Sequence, residues 1–103
     1  MAYTSNWTGG YDLLASPVTF SVDHELSASE KKIVICATAS AASKTLTLGL
    51  DEGEVIILIN VGGTNAFTAK NVEGDTGTSI ATGKVALIIG HKTADASVVK
   101  VLN

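Results

Sequence analysis

The sequence predicts an all-β fold, and three observations lead to this prediction. Apolar and polar residues alternate with period two in short runs, most clearly in residues 44–50 (KTLTLGL). Clusters of turn-forming residues recur about every ten residues, which is the spacing of a β-sandwich or barrel. No segment has the apolar period of about 3.6 residues that marks an amphipathic helix.

The first part of the chain differs from the rest, and we predict that residues 1–16 form an extended or irregular arm. It carries three of the five aromatic side chains: Tyr3, Trp7 and Tyr11. Their four-residue spacing would place them on one face of a helix, but the surrounding Thr, Ser, Asn and paired Gly residues disfavour a stable helix. The arm ends near Pro17, and residues 17–103 form the single predicted domain.

Within this domain the sequence predicts short strands separated by polar turns. In chain order the strands are 18–22, 33–39, 44–50, 55–61, 66–72, 84–91 and 97–103. Residues 23–32 are polar and turn-like, with a short helical turn at SASEKK. Residues 55–61 and 84–91 are apolar at odd and even positions alike, so we expect both faces of these two strands to be covered.

The chain also contains an internal echo. The segment LDEGEVIILI, which starts at Leu50, aligns without gaps to IATGKVALII, which starts at Ile80, at an offset of 30 residues. Gly53 matches Gly83, and an aliphatic run follows in both copies. One interpretation is a pair of related hairpins; the other is a chance likeness between two strand entries. Two copies are too few for a solenoid.

Composition excludes several classes of protein. The net charge is −3, all seven cations are Lys, and there is no basic run, which argues against nucleic-acid binding. The longest apolar stretch, residues 55–59, is too short to span a membrane. The N-terminus lacks the basic and apolar regions of a signal peptide, so we expect synthesis in the host cytoplasm without an export signal. Cys36 is the only cysteine, and its apolar neighbours favour a small buried side chain over a reactive thiol.

The sequence offers little for catalysis or metal binding. His24 and His91 are isolated from each other and from any third ligand. The acidic turns at 51–54 and 73–75 match no known calcium loop, and we interpret them as solvated turns. No nucleophile, base and orienting group are arranged as an enzyme requires. We therefore expect neither an enzyme nor a metal or other cofactor.

The strand edges point instead to association with other proteins. Residues 55–69 contain no charge, and Pro17 is the only proline. Edges this rich in Val, Ile and Thr invite aggregation unless charge, proline or a partner protects them. Burial against neighbouring subunits would remove that liability, so we expect an oligomer.

The run from Lys44 to Gly90, about half of the chain, resembles a pattern of tailed-phage structural proteins. In that pattern an alternating leucine strand leads through a Gly turn into an aliphatic strand ending in Asn, then TNA, an acidic Gly turn and a second aliphatic strand. The matching residues are Leu46, Leu48, Gly53, Asn60, Thr64, Asn65, Ala66, Thr68, Gly83 and Ala86. The pattern is similar to that of capsid decoration (cement) proteins and of head- or tail-fibre modules.

This resemblance implies a single β-sandwich or jelly-roll-like domain with an N-terminal arm. It further implies a homotrimer that binds the major capsid protein on the outer surface of the virion. Five arm residues are then the candidate contacts with the capsid or with neighbouring subunits: Tyr3, Trp7, Tyr11, Leu13 and Leu14. Large aromatic side chains suit such anchors. In the other interpretation, the arm folds back over its own domain.

A second functional hypothesis is a fibre module that binds a host receptor or a glycan. Glycan sites usually present exposed aromatic platforms, whereas the β region contains only Phe20 and Phe67. A small hydrolase is a third hypothesis, and no catalytic constellation favours it.

Overall fold

The computed structural model describes residues 17–92 and 98–102, which form short strands and a single turn of 3-10 helix at Ala28–Glu30. The strands are β1 (Val18–Phe20), β2 (His24–Glu25), β3 (Val34–Ala39), β4 (Lys44–Thr47), β5 (Val55–Asn60), β6 (Phe67–Lys70), β7 (Thr78–Ile80), β8 (Val85–Ile89) and β9 (Val98–Val101). The predicted all-β class is confirmed. The predicted arm lies outside the described residues.

Two mixed sheets make up the fold, with the strand orders β1-β3-β5-β8-β9 and β2-β4-β6-β7. From β1 to β6 the chain alternates between the sheets, so β1, β3 and β5 run parallel in one and β2, β4 and β6 run parallel in the other. The strands β7, β8 and β9 add antiparallel pairs. A jelly roll consists of antiparallel strands, so the jelly-roll-like alternative is wrong for this pairing.

Alternate residues of each strand point into one apolar core that both sheets share. The ring of Phe20 in β1 contacts the ring of Phe67 in β6 edge to face, with centroids 5.5 Å apart. The other large side chains that are almost fully buried are aliphatic: Ile35, Leu46, Leu48, Leu50, Leu58, Ile80 and Ile88. These residues occupy the apolar positions of the period-two pattern, because successive strand side chains point to opposite faces.

Each of the seven predicted strands contains an observed strand, but β2 and β7 were not predicted. The two residues of β2 are too few to show alternation, and β7 lies in a run of Thr, Ser and Gly that is typical of a turn. The predicted helical turn at SASEKK is confirmed by the 3-10 turn.

The internal echo corresponds to two strands that pair with each other. Strands β5 and β8 are antiparallel neighbours, and Ile57 lies opposite Leu87. These two residues are also equivalent in the alignment of the two copies. The copies are therefore related by a local two-fold axis that passes through the Ile57–Leu87 pair. The interpretation as two related hairpins is wrong, because β4 and β5, like β7 and β8, lie in different sheets.

The turns that precede the two strands follow the same symmetry. Gly53 and Gly83 have φ values of +77° and +76°, a conformation that favours glycine. The N–H of Gly53 donates to the carbonyl of Gly90 at 2.9 Å, and the N–H of Gly83 donates to that of Asn60 at 2.8 Å. Each turn is thus held by the end of the opposite strand.

Glu30 links the 3-10 turn to β2 and gives a small acid-dependent contribution to stability. Its carboxylate accepts a hydrogen bond from the N–H of Ser27 at 2.8 Å and lies 3.0 Å from Nε2 of His24. The Ser27 N–H, and to a lesser extent His24, hold the pKa of Glu30 below its ordinary value of 4.5, against the opposing effect of burial.

Because the folded-state pKa is lowered, the stabilisation from Glu30 is present above the unfolded pKa and is lost as the pH falls through the folded one. We expect the urea midpoint of the chain to decline below pH 4.5, and the Glu30→Gln variant to show a shallower decline. Equal slopes in the two proteins would contradict this assignment.

Candidate protein-binding face

The five-stranded sheet has an apolar outer face, formed by the side chains of β3, β5 and β8 that point away from the core. We define this outer apolar face as Val34, Cys36, Val55, Ile57, Ile59, Val85, Leu87 and Ile89. Within these three strands, the inward side chains at the intervening positions are buried. Apart from Thr38 on the outer side and Asn60 on the inner side, both sides of the three strands are therefore apolar.

The strand register places these side chains in rows across the sheet. Cys36, Ile59 and Val85 form one row, and Val34, Ile57 and Leu87 form the next. The face is three strands wide, at about 4.8 Å per strand, and about five residues long, at about 3.3 Å per residue. Its area is therefore roughly 250 Å².

The exposure of this face bears on one prediction and corrects another. We expected both faces of β5 and β8 to be covered; within the described part of the single chain Val55 is 48% exposed and Ile89 is 38% exposed, so cover for these ends by a neighbouring subunit stays a prediction. Cys36, predicted to be buried, is only half-buried because it belongs to the outward row.

The outer face of the four-stranded sheet has the opposite character. Its outward side chains are Glu25, Thr45, Thr47, Thr68, Lys70 and Ser79. This is the usual pattern of a sheet with one face on the core and one in water. The contrast between the two sheets marks the outer apolar face as the unusual surface of the fold.

A groove of about 380 Å³ lies near the starts of β3 and β5, and the buried residues Leu50 and Ile56 contribute to its lining. Ile33 and Val55, which are 53% and 48% exposed, lie along it. Lys31 also lines the groove, and its Nζ donates to the carbonyl of Gly49 at 2.8 Å. The groove shares Val55 with the outer apolar face, whereas Ile33 has the parity of the inward-facing Ile35.

The residues predicted to bind the capsid or neighbouring subunits all belong to the arm: Tyr3, Trp7, Tyr11, Leu13 and Leu14. They lie outside the described residues, so the structure does not place them. The chain enters the described part at Pro17, immediately before β1.

The two histidines lie apart, each beside one carboxylate. Nε2 of His24 is 3.0 Å from Glu30, and Nδ1 of His91 is 3.4 Å from Glu52. Within residues 17–92 and 98–102, no three His, Cys, Asp or Glu side chains are grouped as a metal site would require.

The acidic turn at 73–75 is not simply solvated, as the sequence had suggested. Asp75 is 9% exposed, and its Oδ2 accepts hydrogen bonds from the N–H groups of Asn71 and Val72 at 3.0 and 3.1 Å. This carboxylate therefore shapes the turn that follows β6, as Asp side chains often do.

No helix among the described residues is long and apolar enough to cross a membrane. Comparisons with protein-family models, with curated proteins and with solved structures find no match for this chain.

Proposed function

We propose that this chain is a virion structural protein: a capsid decoration protein that binds the outer surface of a phage head and stabilises contacts between major capsid subunits. The observation that carries the proposal is the outer apolar face on one sheet of a fold whose other sheet is polar outside. The resemblance of Lys44–Gly90 to tailed-phage structural proteins supports the proposed class of partner, which is the major capsid protein. The finer architecture that we propose is a β-sandwich with an N-terminal arm.

The outer apolar face favours association because its removal from water is worth about 25 cal/mol per Å². At roughly 250 Å², however, it supplies only about a third of the area of about 800 Å² that each partner contributes to a stable interface. Further contact area is therefore required. The arm, with Tyr3, Trp7, Tyr11, Leu13 and Leu14, is the proposed source of that area.

The proposed mechanism is adhesive. A protein that binds the assembled shell, and not its separated subunits, stabilises the shell by mass action. One site occupied at a free concentration of about 100 times its Kd contributes about 2.7 kcal/mol. In a homotrimer this contribution is larger. Once one subunit is bound to the shell, the other two bind the same shell intramolecularly, at a raised effective concentration.

Two measurements on the purified chain test this proposal. In light scattering we expect the mass of three 10.5-kDa chains at micromolar concentration. In co-sedimentation we expect binding to assembled capsid shells and none to dissociated capsid subunits. A monomer with no affinity for shells would contradict the proposal, and binding on a glycan array would favour the fibre module instead.

A further inference from the structure

The groove near the starts of β3 and β5 has an aliphatic lining of both buried and exposed side chains. Leu50 and Ile56, which are 1% and 5% exposed, supply the buried part of this lining. Ile33 and Val55, which are 53% and 48% exposed, supply the part that water reaches. The volume of about 380 Å³ lies within the range of small-molecule sites, about 300–1,000 Å³. The groove therefore suits a small ligand that carries an aliphatic chain.

A positioned ammonium group lies beside this aliphatic lining. Nζ of Lys31 donates to the carbonyl of Gly49 at 2.8 Å, and Gly49 is bonded directly to Leu50, which lines the groove. An ammonium group has three donors, so two remain for a ligand after this bond is made. The carbonyl is a neutral acceptor, so the bond fixes the position of the positive charge without cancelling it.

The charges around the groove favour an anionic ligand. Within the described part of the chain, the other charged side chains of the lining are Lys32, which is exposed, and Glu54. Oε1 of Glu54 accepts from the N–H of Asp51 at 2.7 Å, which directs this carboxylate toward its own turn. Two ammonium groups and one carboxylate give the described lining a net charge of +1, in a chain whose net charge is −3. A local positive potential of this kind attracts anions.

We propose that this groove binds an aliphatic monocarboxylate, that is, a free fatty acid of medium chain length. Its carboxylate lies at the ammonium group of Lys31, and its chain lies along Ile33 and Val55. A single negative charge matches the net charge of the described lining. A phosphate ligand is less suitable, because the chain contains no Arg, whose planar fork is preferred for phosphate.

The size of the groove favours a small molecule over a segment of a partner protein. A stable protein interface takes about 800 Å² from each partner, which is far more surface than a groove of about 380 Å³ offers. A short alkyl chain, in contrast, gains affinity from each carbon that the groove covers. Each methylene is expected to strengthen binding about two- to fourfold, according to how fully it is buried.

Titration of the full-length chain with octanoate, followed by the amide resonances of Ile33 and Val55, tests the proposal. We expect these resonances to shift with a Kd of about 1 mM or lower. Hexanoate, which is two methylenes shorter, should bind about 4- to 16-fold more weakly. Octylammonium has the same chain but the opposite charge and should bind at least about tenfold more weakly.

Two variants assign the charge and the chain to different residues. Lys31→Met keeps the apolar stem but removes the charge, so octanoate should bind about three- to fivefold more weakly, whereas binding of the neutral octanol should change less than about twofold. Ile33→Ala should weaken octanoate and octanol alike, by about threefold. Lys44→Met is the matched control, because Lys44 lies in β4 of the other sheet, and it should change octanoate binding less than about twofold.

The proposal is overturned if octylammonium binds as tightly as octanoate, or if Lys31→Met and Lys44→Met behave alike. Tighter binding of N-acetyl-leucyl-leucine than of octanoate would assign the groove to the C-terminus of a peptide, and this too would overturn it. The ligand series uses the unaltered chain, so it decides the matter even if a variant does not fold. None of these measurements involves a capsid shell, so the inference stands or falls independently of the proposed function.

Discussion

Asn71→Ala is expected to lower the free energy of unfolding by about 3–4 kcal/mol. The Asn71 side chain is fully buried, and it makes three hydrogen bonds. Its Oδ1 accepts from the N–H of Leu50 at 2.6 Å, and its Nδ2 donates to the carbonyls of Leu50 at 3.1 Å and His91 at 2.7 Å. Truncation deprives these backbone groups of the amide in a place that water does not readily reach, at about 1–3 kcal/mol for each group left unsatisfied.

Urea unfolding monitored by circular dichroism measures this loss. Ser79→Ala is the control, since Ser79 is exposed on the polar outer face and should change stability by less than about 0.5 kcal/mol. Asn71→Asp keeps the acceptor but loses both donors, so it should also destabilise. A loss below about 1 kcal/mol for Asn71→Ala would show that neighbouring groups or water can replace the amide.

Asn71 matters because it joins segments that belong to different sheets. It follows β6 of the four-stranded sheet, Leu50 lies in the connection from β4 to β5, and His91 follows β8 of the five-stranded sheet. Asn60, at the end of β5, makes a comparable connection by donating to the carbonyl of Ile80 in β7 at 2.9 Å. Buried amides therefore hold the sheets together in addition to the apolar core.

These amides also show where prediction from the sequence ends. Period-two alternation predicted the strands well, since one face of each strand packs against the core. Asn60 and Asn71, however, lie at or just after the ends of β5 and β6, where Asn is usually a turn-forming residue at the surface. Only the packing of the two sheets reveals that both are buried, and local sequence contains no signal of that packing.

The strand pairing was beyond prediction for a similar reason. Short turns between strands are compatible with antiparallel hairpins, and the sequence pattern predicted no strand order. The chain instead crosses from one sheet to the other after each of the first five strands, so neighbours within a sheet are distant in sequence and parallel. A period-two pattern specifies which side chains point inward, but it does not specify which sheet each strand joins.

The outer apolar face could be read from the sequence, but its exposure could not. Apolar residues occupy odd and even positions alike in 55–61 and 84–91. We predicted from this that both faces of the two strands are covered. Within the described part of the chain the inner face is buried, whereas the outer face is half-buried and its ends at Val55 and Ile89 are exposed. Whether the other is covered depends on a partner or on the arm, and the proposed function follows from that distinction.

Ile57→Lys should separate these alternatives, because Ile57 lies at the centre of the outer apolar face and on its local two-fold axis. An ammonium group there must be desolvated when a partner covers the face, so we expect shell binding or trimer formation to weaken about 100-fold, the effect of a strong interface residue. In the free chain the ammonium can reach water, so the fold should persist.

Thr68→Lys is the matched control, since it adds the same charge at the centre of the polar outer face. Co-sedimentation with shells and light scattering measure both variants, and circular dichroism verifies that they are folded. If Ile57→Lys binds and assembles as well as Thr68→Lys, the outer apolar face contacts no partner. The arm would then be the remaining proposed contact that has to account for attachment.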